Sequence, residues 1–588
     1  MSTQQHGIKK GIICLVALVI IIVTVTGCSH FSSYFKAHTA PSATDSTKET
    51  PPPPPAQALY HFLVARTKVR EGNVERAITE YQKAIAVDSQ SPLLYVDLAS
   101  LYLSKKKTQE AMAACRDALI LDPDYYVAHY LLGGIYVALG NQREALNEYQ
   151  KVVQINPEYL QAYLMISTLY ADLRDYEQAI DTLRQLLAKQ PANLMGLYYL
   201  ARIYAETKLY DKALTYYQEV IKLNPQFEAA LMDMATVYEL KSDGARAEEL
   251  FKEILKLNAF NFQARERLGQ LFIKGGRLPE AFDQYTIFKN LDSQNLSVRI
   301  KLGLILFQQE RLEEAAQEFR FVLAAQPRKS DVRYYLGITL YLMGRTAEAL
   351  AEFKRILPEE DFFSEAVNYM AYILQKEERS QEALTLVQKA IEAKPQDPQL
   401  LYTIALIYED LERYPEAIQK LQAVVAKEPK SAEAFFRLGI VYYKMDKVEE
   451  SIGVMRHVIV LDPKNADALN HLGYTYAEQR MRLDEAEDLV KKALALKPDN
   501  GYITDSLGWV YYQKEEYSRA VEWLEKAHRL VPDDPTITEH LGDGYLKASK
   551  KQEAIQMYQR ALELKPNKEQ VQTLQKKIEA LREAKTSP

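Results

Sequence analysis

Residues 126–159 read YVAHYLLGGIYVALGNQREALNEYQKVVQINPEY, and residues 160–193, which follow directly, read LQAYLMISTLYADLRDYEQAIDTLRQLLAKQPAN. Laid one above the other, these two 34-residue stretches share a small residue at position eight (Gly133, Ser167), an aromatic at eleven (Tyr136, Tyr170), Ala at twenty (Ala145, Ala179) and Pro at thirty-two (Pro157, Pro191). Self-similarity at a fixed period of this length marks a repeat architecture, in which a single unit cannot bury its apolar face and neighbours must stack.

The same frame extends in both directions. Prolines recur at Pro123, Pro225, Pro327, Pro395, Pro429, Pro463, Pro498, Pro532 and Pro566, always at 34 residues or a multiple of it except for one step of 35 between Pro463 and Pro498. Repeats therefore begin at residues 58, 92, 126, 160, 194, 228, 262, 296, 330, 364, 398, 432, 466, 501 and 535. Position eight is small in all of them, position twenty is Ala except at Ser451, and position eleven is aromatic in most. Two helices that cross closely leave no room for larger side chains at the crossing, and the rings at position eleven fill the seam between neighbours. This resembles the tetratricopeptide pattern. The resemblance implies an all-α, right-handed superhelical solenoid of about fifteen helix-turn-helix repeats over residues 58–568, with a concave groove. In residues 569–588, Val571, Leu574, Ile578 and Leu581 keep the spacing of an amphipathic capping helix.

Ahead of the repeats, Lys9 and Lys10 precede the apolar run Gly11 to Val25, and Val25-Thr26-Gly27-Cys28 closes it. The run suits the core of a signal peptide and is short for a bilayer-spanning helix. Its end resembles the lipobox of bacterial lipoproteins, which implies removal of residues 1–27, acylation of Cys28 and anchoring by lipid; the alternative is an uncleaved inner-membrane signal anchor with periplasmic repeats. Position 29 is Ser and not Asp, which by similarity to lipoprotein sorting favours the periplasmic face of the outer membrane. Residues 28–57 are rich in Ser, Thr and Pro and end in Pro51 to Pro55, the composition of an unfolded tether with a polyproline II end.

Composition narrows the function classes. Sparse Gly (22) and Pro (24) with 47% hydrophobic residues suit a helical protein. The formal charge of −6, which becomes −8 once Lys9 and Lys10 leave with the leader, carries no basic block, so nucleic acid is not an expected partner. Within the repeats Cys115 stands alone, which leaves no disulfide or thiolate metal site to expect there. There is no phosphate-binding loop, dinucleotide fingerprint, HExxH or CxxC motif, and no segment of domain size lies outside the repeats. Neither a catalytic site, a cofactor, a metal nor a small-molecule substrate is expected. His471 and His540 occupy equivalent positions two repeats apart, too far for one metal shell on the usual spacing of helix axes.

The expected partners are proteins or peptides, with the membrane engaged through the lipid. In a tetratricopeptide array positions two, five, nine and twelve of each first helix face the groove. Position five supplies Tyr130, Tyr198, Tyr334, Tyr402 and Phe436, then Asp505 and Glu539; position nine adds Trp509 and Asp543. Each ring has two available uses, as groove wall or as packing within the array. No repeat has the Asn at positions nine and six that a carboxylate clamp for a chaperone C-terminus requires. The runs NHLGYTYAEQ, RLDEAEDLVKKALALKPDNGYITDSLGWVYY and EHLGDGY are similar to the C-terminal end of a widespread proteobacterial family of long tetratricopeptide proteins. The expected function is a scaffold for an envelope assembly such as a secretion, pilus or exopolysaccharide export machine; the alternative is a periplasmic client-holding chaperone or targeting factor.

Overall fold

A computed structural model of the protein describes residues 54–583. Among the described residues the fold is all-helical, with 31 α-helices and no strand, and tetratricopeptide-type helix pairs in a solenoid-like arrangement. The chain divides into two compact units, Met1–Leu291 and Asp292–Pro588. Within each unit the second helix of one repeat packs on the first helix of the next. The leader and Cys28 lie outside the described residues. The first helix, Pro54–Arg70, starts inside the proline run, because a first-turn residue has no helical N–H bond to lose; Pro54 and Pro55 are therefore helical rather than polyproline II.

What holds a repeat together is a small residue against a large one. A Cβ added to Gly133 would lie 2.8 Å from the ring of Tyr149; at Gly303 it would meet Phe319 at 2.6 Å, and at Gly542 it would meet Tyr558 at 2.5 Å. Position eight thus serves the bulky residue at position twenty-four of the same repeat, and Tyr149, Phe319 and Tyr558 are fully buried there. Cys115 occupies this position in the second repeat, where burial pushes its thiol up to about 12; it acts as a small hydrophobe. A second tie joins neighbours: Gln150 and Gln422 donate to the Tyr170 and Tyr442 hydroxyls across the seam, both at 2.9 Å. A third recurs inside repeats, where position four bonds position twenty-three, as in His129–Glu148 at 2.5 Å and Arg299–Glu318 at 2.6 Å.

One repeat departs from the pattern. The second helix of the ninth repeat stops after eight residues, Thr346–Phe353, where others run thirteen or fourteen. Pro358 falls three residues ahead of the usual proline position; it lacks an N–H and excludes helical geometry from the residue before it. The chain then turns until Phe362, whose φ is 65°, enters the next helix. At the other end, Lys568–Glu583 caps the array, with Leu574 and Ile578 buried against Ala554, Tyr558 and Ala561.

Candidate functional site

The first helices of repeats twelve to fifteen, Ala432–Lys444, Ala466–Glu478, Gly501–Gln513 and Pro535–Lys547, line an open cleft of about 510 Å³. Each start is fixed by a polar side chain: Ser431, Asn465, Asn500 and Asp534 accept from backbone N–H groups one turn in. Phe436, Asn470, Tyr474, Tyr502 and Asp505 reach the cleft from positions two, five and nine, and His471 and His540 from position six.

Asp505 is the centre of the site. It is only 5% exposed, and its Oδ2 accepts from His540 Nδ1 at 2.9 Å. Burial alone would lower the His540 pKa, but the charge and hydrogen bond of Asp505, with Asp543 and Glu539 nearby, outweigh it and raise the value. The imidazole stacks on Trp509 at 4.1 Å between centroids, and Trp509 stacks on Tyr512 at 4.6 Å. His471 is opposite in character: it packs edge-on to Tyr443 at 5.1 Å, and burial lowers its pKa to about 4, so it is neutral. Three buried polar atoms here have no hydrogen-bond partner: Asn470 Oδ1, Asp505 Oδ1 and Trp509 Nε1. A buried polar atom left unpaired costs about 1–3 kcal/mol, which makes this surface a place that gains by receiving a polar ligand.

The nine groove residues expected from the repeat frame divide into three groups. Phe436 and Asp505 line the cleft, and Trp509 stands behind it, 9% exposed. Tyr130 and Tyr198 are not groove walls. Tyr130 is 6% exposed, 5.4 Å from Tyr149 and 5.0 Å from Tyr159, and burial pushes its hydroxyl up to about 12. Tyr198 packs on Phe227 at 5.0 Å and donates to Asp233 at 2.9 Å. Tyr334 is half-buried against Phe362 at 5.4 Å, and Tyr402, also half-buried, donates to Glu433 at 3.1 Å. Glu539 and Asp543 are corrected differently: Lys577 of the capping helix bonds both, at 2.8 and 2.7 Å. Asp543 also accepts from the Tyr558 hydroxyl at 2.6 Å. These two acids hold the cap and are not free for a ligand.

Sequence reasoning missed Asn470, Tyr474 and Tyr502, and used His471 and His540 only to dismiss a metal. The first three had a signal in register, since Asn470, Tyr474 and Tyr502 stand at positions five, nine and two; position six, held by the histidines, lies about 100° around the helix from position five and is not among the groove positions of the frame. The two histidines do border one cleft. Among the described residues no group of three or more His, Cys, Asp or Glu side chains could hold a metal ion, and no helix is long and apolar enough to cross a membrane.

Comparisons with known proteins agree with the repeat frame. Tetratricopeptide repeat families match residues 63–126, 126–159, 164–226, 232–289, 300–362 and 433–465, and a TPR repeat family matches 407–446. Residues 461–577, which include most of the cleft, match the C-terminal ARM domain of tetratricopeptide repeat protein 21. Curated proteins give no match. Among solved structures, YrrB, a TPR protein with an unusual peptide-binding site, is 21% identical over 32% of this chain and 96% of its own, with a TM-score of 0.29. The Cut9–Hcn1 hetero-tetramer of the APC/C is 15% identical over 83% and 98%, TM-score 0.36. The protein pilF of Pseudomonas aeruginosa is 16% identical over 37% and 99%, TM-score 0.33. Tetratricopeptide repeats thus run across the chain, and arrays of this kind bind protein or peptide partners: the chain is a protein–protein interaction scaffold.

Proposed function

We propose that this tetratricopeptide array receives a partner protein in the cleft of repeats twelve to fifteen while a lipid on Cys28 holds it at the periplasmic face of the outer membrane, where it organises an envelope assembly of the secretion, pilus or exopolysaccharide export kind. The cleft carries the first half of that reading. It joins aromatic walls to buried polar atoms without partners, and rigid rings supply contact area at small entropic cost. The second half rests on the sequence Val25-Thr26-Gly27-Cys28 at the end of an apolar leader. Resemblance of the last three repeats to long proteobacterial tetratricopeptide proteins supports the same setting.

Cross-linking in intact cells, followed by affinity purification of the native chain, Cys28→Ala and Tyr502→Ala, tests both halves. Tyr502 is 56% exposed, so its loss leaves the fold intact. A small set of envelope proteins that disappears with Tyr502→Ala supports the scaffold, and release of Cys28→Ala from the membrane fraction supports the anchor. A second use, holding many unfolded clients, is favoured by the ring cluster Tyr341, Tyr369 and Tyr372, with centroids 5.7 to 6.3 Å apart and Tyr372 exposed. Broad recovery, indifferent to Tyr502→Ala and reduced by Tyr372→Ala, would replace the scaffold with that role.

A further inference from the structure

The cleft of repeats twelve to fifteen has a chemical bias that narrows its ligand. Its lining contains Asp467, Asp505 and Asp534 and no Lys or Arg. Asp467 is engaged by Lys497 at 2.8 Å and Asp534 caps its own helix, so the free acidic function is Asp505. One of its oxygens is taken by His540; the other is buried and unpaired. One repeat earlier, at the same position five, Asn470 Oδ1 is buried and unpaired as well. Both atoms are acceptors, and a ligand satisfies them only by bringing N–H or O–H donors. Trp509 Nε1, an unpaired donor, belongs to a residue outside the lining.

Phe436, Tyr474 and Tyr502 add ring faces to the same walls. Elsewhere the array covers such rings with its own cations: Arg277 lies 4.4 Å over Phe272, Arg413 4.7 Å over Tyr408 and Lys550 5.3 Å over Tyr545. In the cleft no lining residue is available to do so. A carboxylate or phosphate ligand would meet these acceptors and no Lys or Arg, since the one imidazole whose charged form is favoured, His540, is already bonded to Asp505, and an apolar segment would bury both acceptors unpaired.

We infer that the cleft reads a cationic side chain, an arginine above all, on the segment it receives, with Asp505 and Asn470 as acceptors and the aromatic walls against the guanidinium face. A guanidinium offers several donors in a fixed plane and stacks on rings, whereas an ammonium is a compact, strongly hydrated point charge. The inference rests on the cleft being the partner site.

The test uses the full chain carrying Trp523→Phe, which leaves Trp509 as the one fluorophore of its kind, since the chain has two tryptophans. It is titrated with acetyl-Ala-Arg-Ala-amide and with its Lys, Gln and Glu counterparts. Arginine should bind tightest, lysine by a few-fold less, and glutamine and glutamate by about tenfold less or worse. Asp505→Asn, nearly isosteric, and Tyr502→Ala, at an exposed position, should each weaken the arginine peptide by about tenfold. Equal binding of the glutamine peptide, no saturation with any of the four, or arginine binding indifferent to both substitutions overturns the inference. If the peptides fail while Tyr502→Ala still loses its partners in cells, cation recognition falls and the scaffold stands. If the arginine peptide binds as expected while Tyr502→Ala keeps every partner, the cleft recognises cations but the scaffold reading of it falls.

Discussion

Position five of the first helix serves opposite ends in repeats three and five and in repeats thirteen and fourteen. In the former it is Tyr130 or Tyr198, sealed under a second ring, Tyr159 or Phe227. In the latter it is Asn470 or Asp505, a polar residue that borders a cleft and holds a buried, unpaired oxygen. The residue just before the next helix decides between them. Tyr159 and Phe227 make no capping bond through their side chains, whereas Asn500 and Asp534 turn back to cap the helix they begin. A ring there adds roughly 0.5–1.5 kcal/mol of aromatic pairing beyond its buried area; a polar cap adds about 1 kcal/mol. The cap offsets the ring pairing but not the area the ring buries, so the polar choice leaves a cleft at a cost of about 1 kcal/mol.

Four experiments press on that contrast. The largest effect should follow Tyr149→Ala, which empties the fully buried space under Gly133 and Tyr130. It should cost about 3–5 kcal/mol, seen as faster hydrogen exchange centred on residues 126–155, because repeat arrays lose stability locally. Acidification should act on the open region. The His471 value is lowered to about 4 against about 6.5 unfolded, so its contribution is present above the unfolded value and is lost as pH falls towards 4. His540, raised, contributes below the unfolded value and loses that as pH rises. Between pH 7 and 5 the native chain should lose up to about 2 kcal/mol relative to His471→Gln, read as exchange in residues 466–478; equal pH slopes would refute the assignment.

Smaller changes follow. Lys577→Met leaves Glu539 and Asp543 without their cation and should cost about 1–2 kcal/mol, less than a fully buried pair because the ammonium is partly exposed. Protection should fall first in the capping helix, Lys568–Glu583. Tyr159→Asn transplants the polar choice into the sealed region: cap gained and ring lost should leave a net loss of about 1 kcal/mol. The Tyr130 hydroxyl should then titrate nearer 10 than its buried value of about 12, a shift that ultraviolet titration against the parent chain would detect.

Much of the molecule was legible in the sequence. The repeat starts at residues 92, 126, 160 and 194 coincide with helix starts, since capping, small-residue and proline signals each act within a few residues of where they sit. The broken helix of the ninth repeat was not read from the sequence, although Pro358 stands ahead of the usual proline position. The site was legible only in part. Phe436 and Asp505, which the helical period assigns to a face, line the cleft. Tyr130 and Tyr198 were misassigned because a period cannot say whether that face is covered.

By itself, then, the sequence determined the all-helical repeat fold, the register of every pair and the small-to-large packing inside each, all of which depend on spacings of a few residues. Tertiary structure alone decided which of the equivalent positions border a cleft. That outcome depends on side chains some thirty residues apart, as with Tyr130 and Tyr159 or Asp505 and His540, and on where a cation such as Lys577 comes to rest. Coverage and charge compensation are properties of neighbours in space, and a period along the chain carries no record of them.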